Sequence, residues 1–158
     1  MCIRDSVDVI LFETMGHLEE IEIALETVKG LNHKIWLSII MKDKDHILSG
    51  HHINDVFMLA DKKIDCLLLN CNTIAKTNET LELIKNDWNN SWGVYPNLGL
   101  SEPEPDGVIE EKVQEDGFRE TILKYLNMNP KIIGSCCGSS PNHIKIIKEI
   151  TNKIFLSD

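Results

Sequence analysis

Runs of apolar, largely aliphatic residues recur at Val7 to Phe12, Ile35 to Met41, Ile64 to Leu69, Trp92 to Tyr95 and Lys131 to Ile133. Their starts lie about 28, 29, 28 and 39 residues apart, close to the roughly 30 residues of one strand–helix–strand unit. The runs are apolar throughout rather than alternating, which is how strands covered on both faces read. Parallel strands alternating with helices are therefore predicted, an α/β fold.

The intervening segments carry helical periodicity. Leu18, Ile21, Leu25 and Val28 share one face of a helix that Gly30 stops. Ile53, Val56, Phe57 and Ala60 mark a second, and Ile74, Leu81, Ile84 and Trp88 a third, with Thr73 or Thr77 as its cap. Phe118, Ile122, Tyr125 and Leu126 mark a weaker fourth, stopping before Pro130. In the fifth, Ser140 can cap, Pro141 fits the first helical position, and Ile144, Ile147 and Ile154 share a face. Five strand-then-helix units result. Residues 1–6 lack any periodic pattern and run straight into the first strand, so they read as a non-native start, and one domain is expected over residues 7–158.

A chain of 158 residues with Lys+Arg 16 against Asp+Glu 25 has a formal net charge of −9. It lacks the basic footprint that neutralises phosphates, which argues against nucleic-acid partners and anionic membrane surfaces. No apolar run approaches the roughly 18 residues that read as a membrane span. No charged segment followed by an apolar one opens the sequence, so a cytoplasmic location with reduced thiols is expected. No glycine-rich phosphate loop follows any strand. The one long irregular stretch, Asn97 to Gln114, borders six carboxylates from Glu102 to Glu115 and reads either as a lid or as a solvated acidic insertion.

Five cysteines need explaining, since a domain of this length requires no crosslink to hold a core. Cys2 belongs to the irregular start, and Cys66 sits mid-strand as a small buried hydrophobe. Cys71 closes Leu69-Asn70-Cys71, and Cys136-Cys137 close Gly134-Ser135-Cys136-Cys137-Gly138, both at strand C-terminal ends, where ligands bind in α/β sheets. Adjacent cysteines on a regular strand face opposite ways, so both reach one metal only where the strand breaks, which Gly134 and Gly138 permit. Three thiolates with a vacant fourth position describe a catalytic zinc site. The alternative, small buried strand-end thiols, stays open at this stage. His51, His52 and His143 read as solvated or capping residues. Glu13 directly follows Ile10-Leu11-Phe12 at a strand end, and is either at the solvent rim or a partner for a cationic part of a substrate.

Several of these segments together resemble one family. Val7-Asp8-Val9-Ile10-Leu11-Phe12-Glu13-Thr14, Asn70-Cys71, Tyr95-Pro96-Asn97-Leu98-Gly99 and Gly134 to Ile144 follow the order and spacing of the homocysteine S-methyltransferase family. The resemblance covers nearly everything from Val7 onward. It implies a (β/α)8 TIM barrel, present here as the part resembling strands 4 to 8, since a whole barrel takes about 250 residues. It also implies a zinc ion (Zn2+) held by Cys71, Cys136 and Cys137, with the sulfur of homocysteine as a further ligand.

By the same resemblance Glu13 would hold the substrate amino group, with Tyr95 and Asn97 as further pocket residues. The implied reaction moves a methyl group from a small donor to homocysteine, giving methionine. Betaine, a sulfonium compound and a methylated folate would demand different pockets, and nothing in the sequence selects among them or fixes an oligomeric state. The family usually has glycine where Leu68 and Ser135 stand here. With five of eight strands, two sheet edges would be unpaired. The second functional reading is a non-catalytic α/β module keeping a structural or sensing zinc. A third is an open doubly wound domain without metal.

Overall fold

The computed structural model describes residues 7–101, 109 and 111–155. The irregular start and most of the acidic stretch, Glu102 to Val108 and Glu110, lie outside the described residues. Five units follow in order: β1 (Val9–Met15), α1 (Leu18–Thr27), β2 (Lys34–Ile39), α2 (Ile53–Ala60), β3 (Cys66–Thr73), α3 (Ile74–Asp87), β4 (Trp92–Asn97), α4 (Glu115–Leu126), β5 (Ile132–Ile133) and α5 (Pro141–Phe155). All four strand pairings are parallel, and the sheet order is β1-β2-β3-β4-β5.

That sequential order decides between architectures. A doubly wound sheet reverses its strand order at a switch point. Here no reversal occurs, so right-handed connections put the helices on one face, as in a barrel wall. The doubly wound reading is thereby overturned.

Within each strand, alternate residues divide the two faces. Ile35, Leu37 and Ile39 of β2 and Leu67 and Leu69 of β3 join Ile21, Leu25, Val56, Phe57, Leu81 and Ile84 in one buried cluster against the helices. Each fully buried aliphatic side chain of this kind contributes about 1.5–3 kcal/mol relative to exposure. The other face carries Leu11, Glu13, Trp36, Ser38, Leu68, Asn70, Gly93 and Tyr95, the side that lines the interior of a closed barrel. Leu68, fully buried, fills the space beside Gly93, where an added Cβ would lie 2.6 Å from its Cδ2.

Helix ends are fixed by side chains the sequence singled out. Thr73, rather than Thr77, caps α3 by accepting from the Lys76 N–H. His52 caps α2 by accepting from the Asn54 N–H, while Asp55 reaches back to the His52 N–H. At the start of α5 the His143 Nδ1 accepts from the Ser140 N–H, and its ring meets Phe118 edge-on at 4.9 Å. The capping reading of His52 and His143 therefore holds. The ends of the acidic stretch pair with each other, the Leu100 N–H donating to Glu111 and the Val113 N–H to Leu98.

Candidate metal centre

Two strands reach further than their apolar runs. β1 continues through Glu13 and Thr14, and β3 through Cys71 and Asn72, and each has a register shift there: Phe12 to Met15 and Asn70 to Thr73. Thr14 and Cys71 adopt positive φ, 60° and 56°, at these irregularities. Left-handed backbone is strained for a β-branched residue such as Thr14 and uncommon for Cys71, and such bulges at sheet rims re-aim side chains. Both lie at the C-terminal edge of the sheet, the edge that also receives the end of β5.

There the chain beyond β5 stays hydrogen-bonded to β4, the Gly134 N–H donating to Val94 and the Cys136 N–H to Pro96. It then breaks at Gly138, whose φ is +79°. Gly134 has a different role from the one expected. Its φ is not left-handed, and an added Cβ would lie 3.1 Å from the Cβ of Tyr95, so it permits close approach rather than a break. The turn is closed by the Ser139 hydroxyl donating to the Cys136 carbonyl at 2.6 Å.

This arrangement brings Cys71, Cys136 and Cys137 together. The Cys71 and Cys137 sulfurs are 3.4 Å apart, those of Cys136 and Cys137 3.8 Å, and all three lie within 4.8 Å of one another. Three sulfurs about 2.3 Å from a tetrahedral zinc would be about 3.8 Å apart, so the donor set and its spacing fit that ion. Burial foremost, then the neighbouring sulfurs, push the Cys71 thiol well above the usual range. Burial likewise raises Cys136. A cation among them is what would draw these protons off. Cys66 is separate: buried mid-strand, with burial and then Asp65 pushing its thiol up to about 11.

Beside the sulfurs, the structure joins two of the three other predicted residues, Glu13 and Tyr95. The Tyr95 hydroxyl lies 2.8 Å from Ser38 Oγ and 3.2 Å from Glu13 Oε1. Burial, opposed by Ser38 and reinforced by the Glu13 charge, keeps this hydroxyl protonated far above neutral pH. Asn97 is fully buried at the end of β4. Its Oδ1 accepts from the Gly99 N–H at 2.7 Å, while its Nδ2 has no partner. The Ser135 hydroxyl is also buried and unpartnered.

Sequence reasoning missed Ser38 and gave Asn70 no role of its own. Ser38 Oγ lies 2.6 Å from Asn70 Oδ1, and Asn70 Nδ2 donates to Thr14 Oγ1 at 2.8 Å. The available signal was a lone serine inside the apolar run Ile35 to Met41. Asn72 links the same bulge to the β2–α2 loop, donating to the Asn70 carbonyl and accepting from the Met41 N–H.

A second group, Asp43, Asp45 and His46, also gathers its ligand atoms within 4.8 Å. His46 Nδ1 sits 3.0 Å from Asp43 and 2.8 Å from Asp45, so these groups satisfy one another as an ion pair. A cleft of about 420 Å³ lined by Leu25, Lys29, His33, Lys62 and Asp65 opens at the opposite, N-terminal edge, away from the sulfurs.

The family model described as homocysteine S-methyltransferase matches residues 1–151. The chain is 30% identical over 155 residues to homocysteine S-methyltransferase 2 of Zea mays, spanning 92% of this chain and 45% of that protein. It is 29% identical to selenocysteine Se-methyltransferase of Brassica oleracea var. italica, over 91% of this chain and 43% of the relative. The chain thus spans less than half the length of these relatives. Among solved structures, the homocysteine methyltransferase MmuM from Escherichia coli in its metallated form superposes with a TM-score of 0.76 at 22% identity, covering 93% of this chain and 46% of that one. Its apo form gives 0.75 over 93% and 51%. The fold is accordingly α/β, with five units matching about half of a TIM-barrel protein. With its strand order, its clustered cysteines and the family match over nearly its whole length, this chain belongs to the homocysteine S-methyltransferase family.

Proposed function

We propose that this chain carries the zinc site and part of the substrate pocket of a methyltransferase that moves a methyl group to the thiol of homocysteine, giving methionine. The observation that carries the reading is the meeting of three cysteine sulfurs, from two strand ends 66 residues apart, at zinc spacing. Family membership supports the reaction class.

Cys71, Cys136 and Cys137 would hold the metal. A zinc bound there would supply the means to deprotonate a coordinating thiol at neutral pH. The attacking atom is the substrate's own sulfur, so the chain needs no nucleophile and its task is to hold and orient. Glu13 offers a carboxylate for the substrate ammonium, with Tyr95 against it. Asn97 offers a buried amide N–H without a partner, suited to a substrate oxygen. The reduced thiols this site needs fit a cytoplasmic setting. No helix among the described residues is long and apolar enough to cross a membrane.

The test is methyl transfer to homocysteine by the zinc-loaded chain with betaine, a sulfonium compound or a methylated folate as donor. Turnover supports the reading. Zinc uptake without turnover favours the second reading, a module with a structural or sensing zinc, which draws on the chain matching less than half of its relatives.

A further inference from the structure

Ser38, Asn70, Thr14, Tyr95 and Glu13 form a continuous polar chain across β1 to β4, and its hydrogens can be counted. Ser38 Oγ and Asn70 Oδ1 are 2.6 Å apart. That separation suits O–H···O and is shorter than N–H···O bonds ordinarily are, so the serine donates and the Asn70 carbonyl oxygen accepts. The Asn70 amide nitrogen is then the end that donates to Thr14 Oγ1, at 2.8 Å. Thr14 is positioned for this within the β1 irregularity, at φ 60°.

Ser38 has one proton, and it is spent on Asn70. Toward Tyr95, 2.8 Å away, Ser38 can therefore only accept, so the single phenolic proton goes to Ser38. The contact of Tyr95 with Glu13 at 3.2 Å is left with no hydrogen in it. Two oxygen acceptors, a phenol lone pair and a carboxylate, face one another. Such a pair is unfavourable alone and is satisfied by a donor carrying positive charge.

We propose that Ser38 and Asn70 are positioning residues that turn the Tyr95 proton away from Glu13, so that Glu13 and Tyr95 together present two acceptors to the ammonium group of an α-amino acid. This rests on the proposed homocysteine reading and deepens it. Ser38 and Asn70 touch no substrate in this account. They act through the direction of one hydrogen bond. Without the Ser38 hydroxyl, Glu13 is the side-chain acceptor left beside the Tyr95 proton, which then takes up the Glu13 lone pair facing Tyr95.

The experiment uses the full chain loaded with Co(II), whose thiolate-to-metal charge-transfer band reports the cysteines and any added thiol. Homocysteine is compared with 4-mercaptobutanoate, the same thiol without its amino group, in wild type, Ser38→Ala, Tyr95→Phe and the double variant. Ser38→Ala is expected to weaken homocysteine about tenfold and 4-mercaptobutanoate less than about twofold, with the cobalt band of the ligand-free protein unchanged. Adding Tyr95→Phe to Ser38→Ala removes the misdirected proton, and is expected to return homocysteine affinity to that of Tyr95→Phe alone. Equal weakening of both thiols, no weakening of either, or a further loss in the double variant would overturn the positioning role while leaving the homocysteine reading intact. A wild type whose band does not respond to homocysteine would overturn that reading and this one with it. Should Ser38→Ala lose its cobalt band, Asn70→Asp, which keeps the acceptor for Ser38, replaces it; retained homocysteine affinity there supports the relay and tenfold weakening contradicts it.

Discussion

The sulfur of Cys71, at the end of β3, lies 3.4 Å from that of Cys137, beyond β5 and 66 residues later in the chain. Burial raises both Cys71 and its other neighbour Cys136 above the usual range. A zinc ion held here would have to displace protons from at least these two. Because both values are raised, the thiols are protonated at neutral pH and more fully so below it, so metal affinity falls as pH falls. Between pH 8 and pH 6 the apparent zinc affinity is expected to drop about a hundredfold per pH unit, which competition against a chelator of known affinity measures. A pH-independent affinity would contradict the assignment of these thiols as ligands.

Gly93 marks where three strands crowd the barrel-side face. A Cβ there would lie 2.6 Å from Leu68 Cδ2 and 2.7 Å from both Cβ and the carbonyl oxygen of Ile132. Backbone cannot yield as a side chain can. Gly93→Ala is expected to cost about 1–3 kcal/mol, seen as a lower urea midpoint at unchanged slope.

Tyr125 is fully buried in the helix-side core, and its hydroxyl has no partner. Burial alone pushes its ionisation upward. Tyr125→Phe removes a desolvated hydroxyl without opening a cavity of consequence, so it is expected to stabilise the fold by about 1 kcal/mol in thermal or urea unfolding. Destabilisation would reveal a partner for that oxygen.

In the β2–α2 loop, desolvation of Asp43 is outweighed by donors from the Asp45 and His46 backbone and the His46 ring, which hold its carboxyl at about 2. Asp43 in turn raises His46 above its ordinary value of 6.5. The aspartate contribution is present above its ordinary value of 3.8 and lost as pH falls toward 2. The histidine contribution is full below 6.5 and lost as pH rises through its raised value. Amide exchange of Lys42, which donates to the His46 carbonyl, is expected to be best protected, after correction for intrinsic rates, between about pH 4 and 6.5. Asp43→Asn should flatten that profile.

Much of the architecture was legible because it rests on hydropathy. Uniformly apolar runs gave the positions of five parallel strands, and the periodic stripes between them gave the helices, down to the cap at Thr73. The ends of β1 and β3 were less legible. Glu13, Thr14, Asn70 and Asn72 interrupt the apolar pattern, yet remain in the sheet: the Asn70 side chain bonds Ser38 and Thr14 on other strands, and the Asn72 side chain bonds the Asn70 carbonyl and the Met41 N–H. Ser38 and Tyr95 are 57 residues apart, and no local periodicity announces their contact. The break that lets adjacent Cys136 and Cys137 converge was readable at Gly138. Gly134 was misread, because a glycine needed for close approach to Tyr95 looks the same in sequence as one needed for a turn.

The most direct test of the account is metal content. After zinc loading and removal of loosely held ion, elemental analysis of the wild-type chain is expected to give about one zinc per chain, and Cys136→Ala about none, with the helical circular dichroism of both preserved. Cys71→Ala and Cys137→Ala should behave alike, while Cys66→Ala should keep its zinc. Full zinc occupancy in Cys136→Ala, or none in the wild type, would contradict the assignment of Cys71, Cys136 and Cys137 as the metal site.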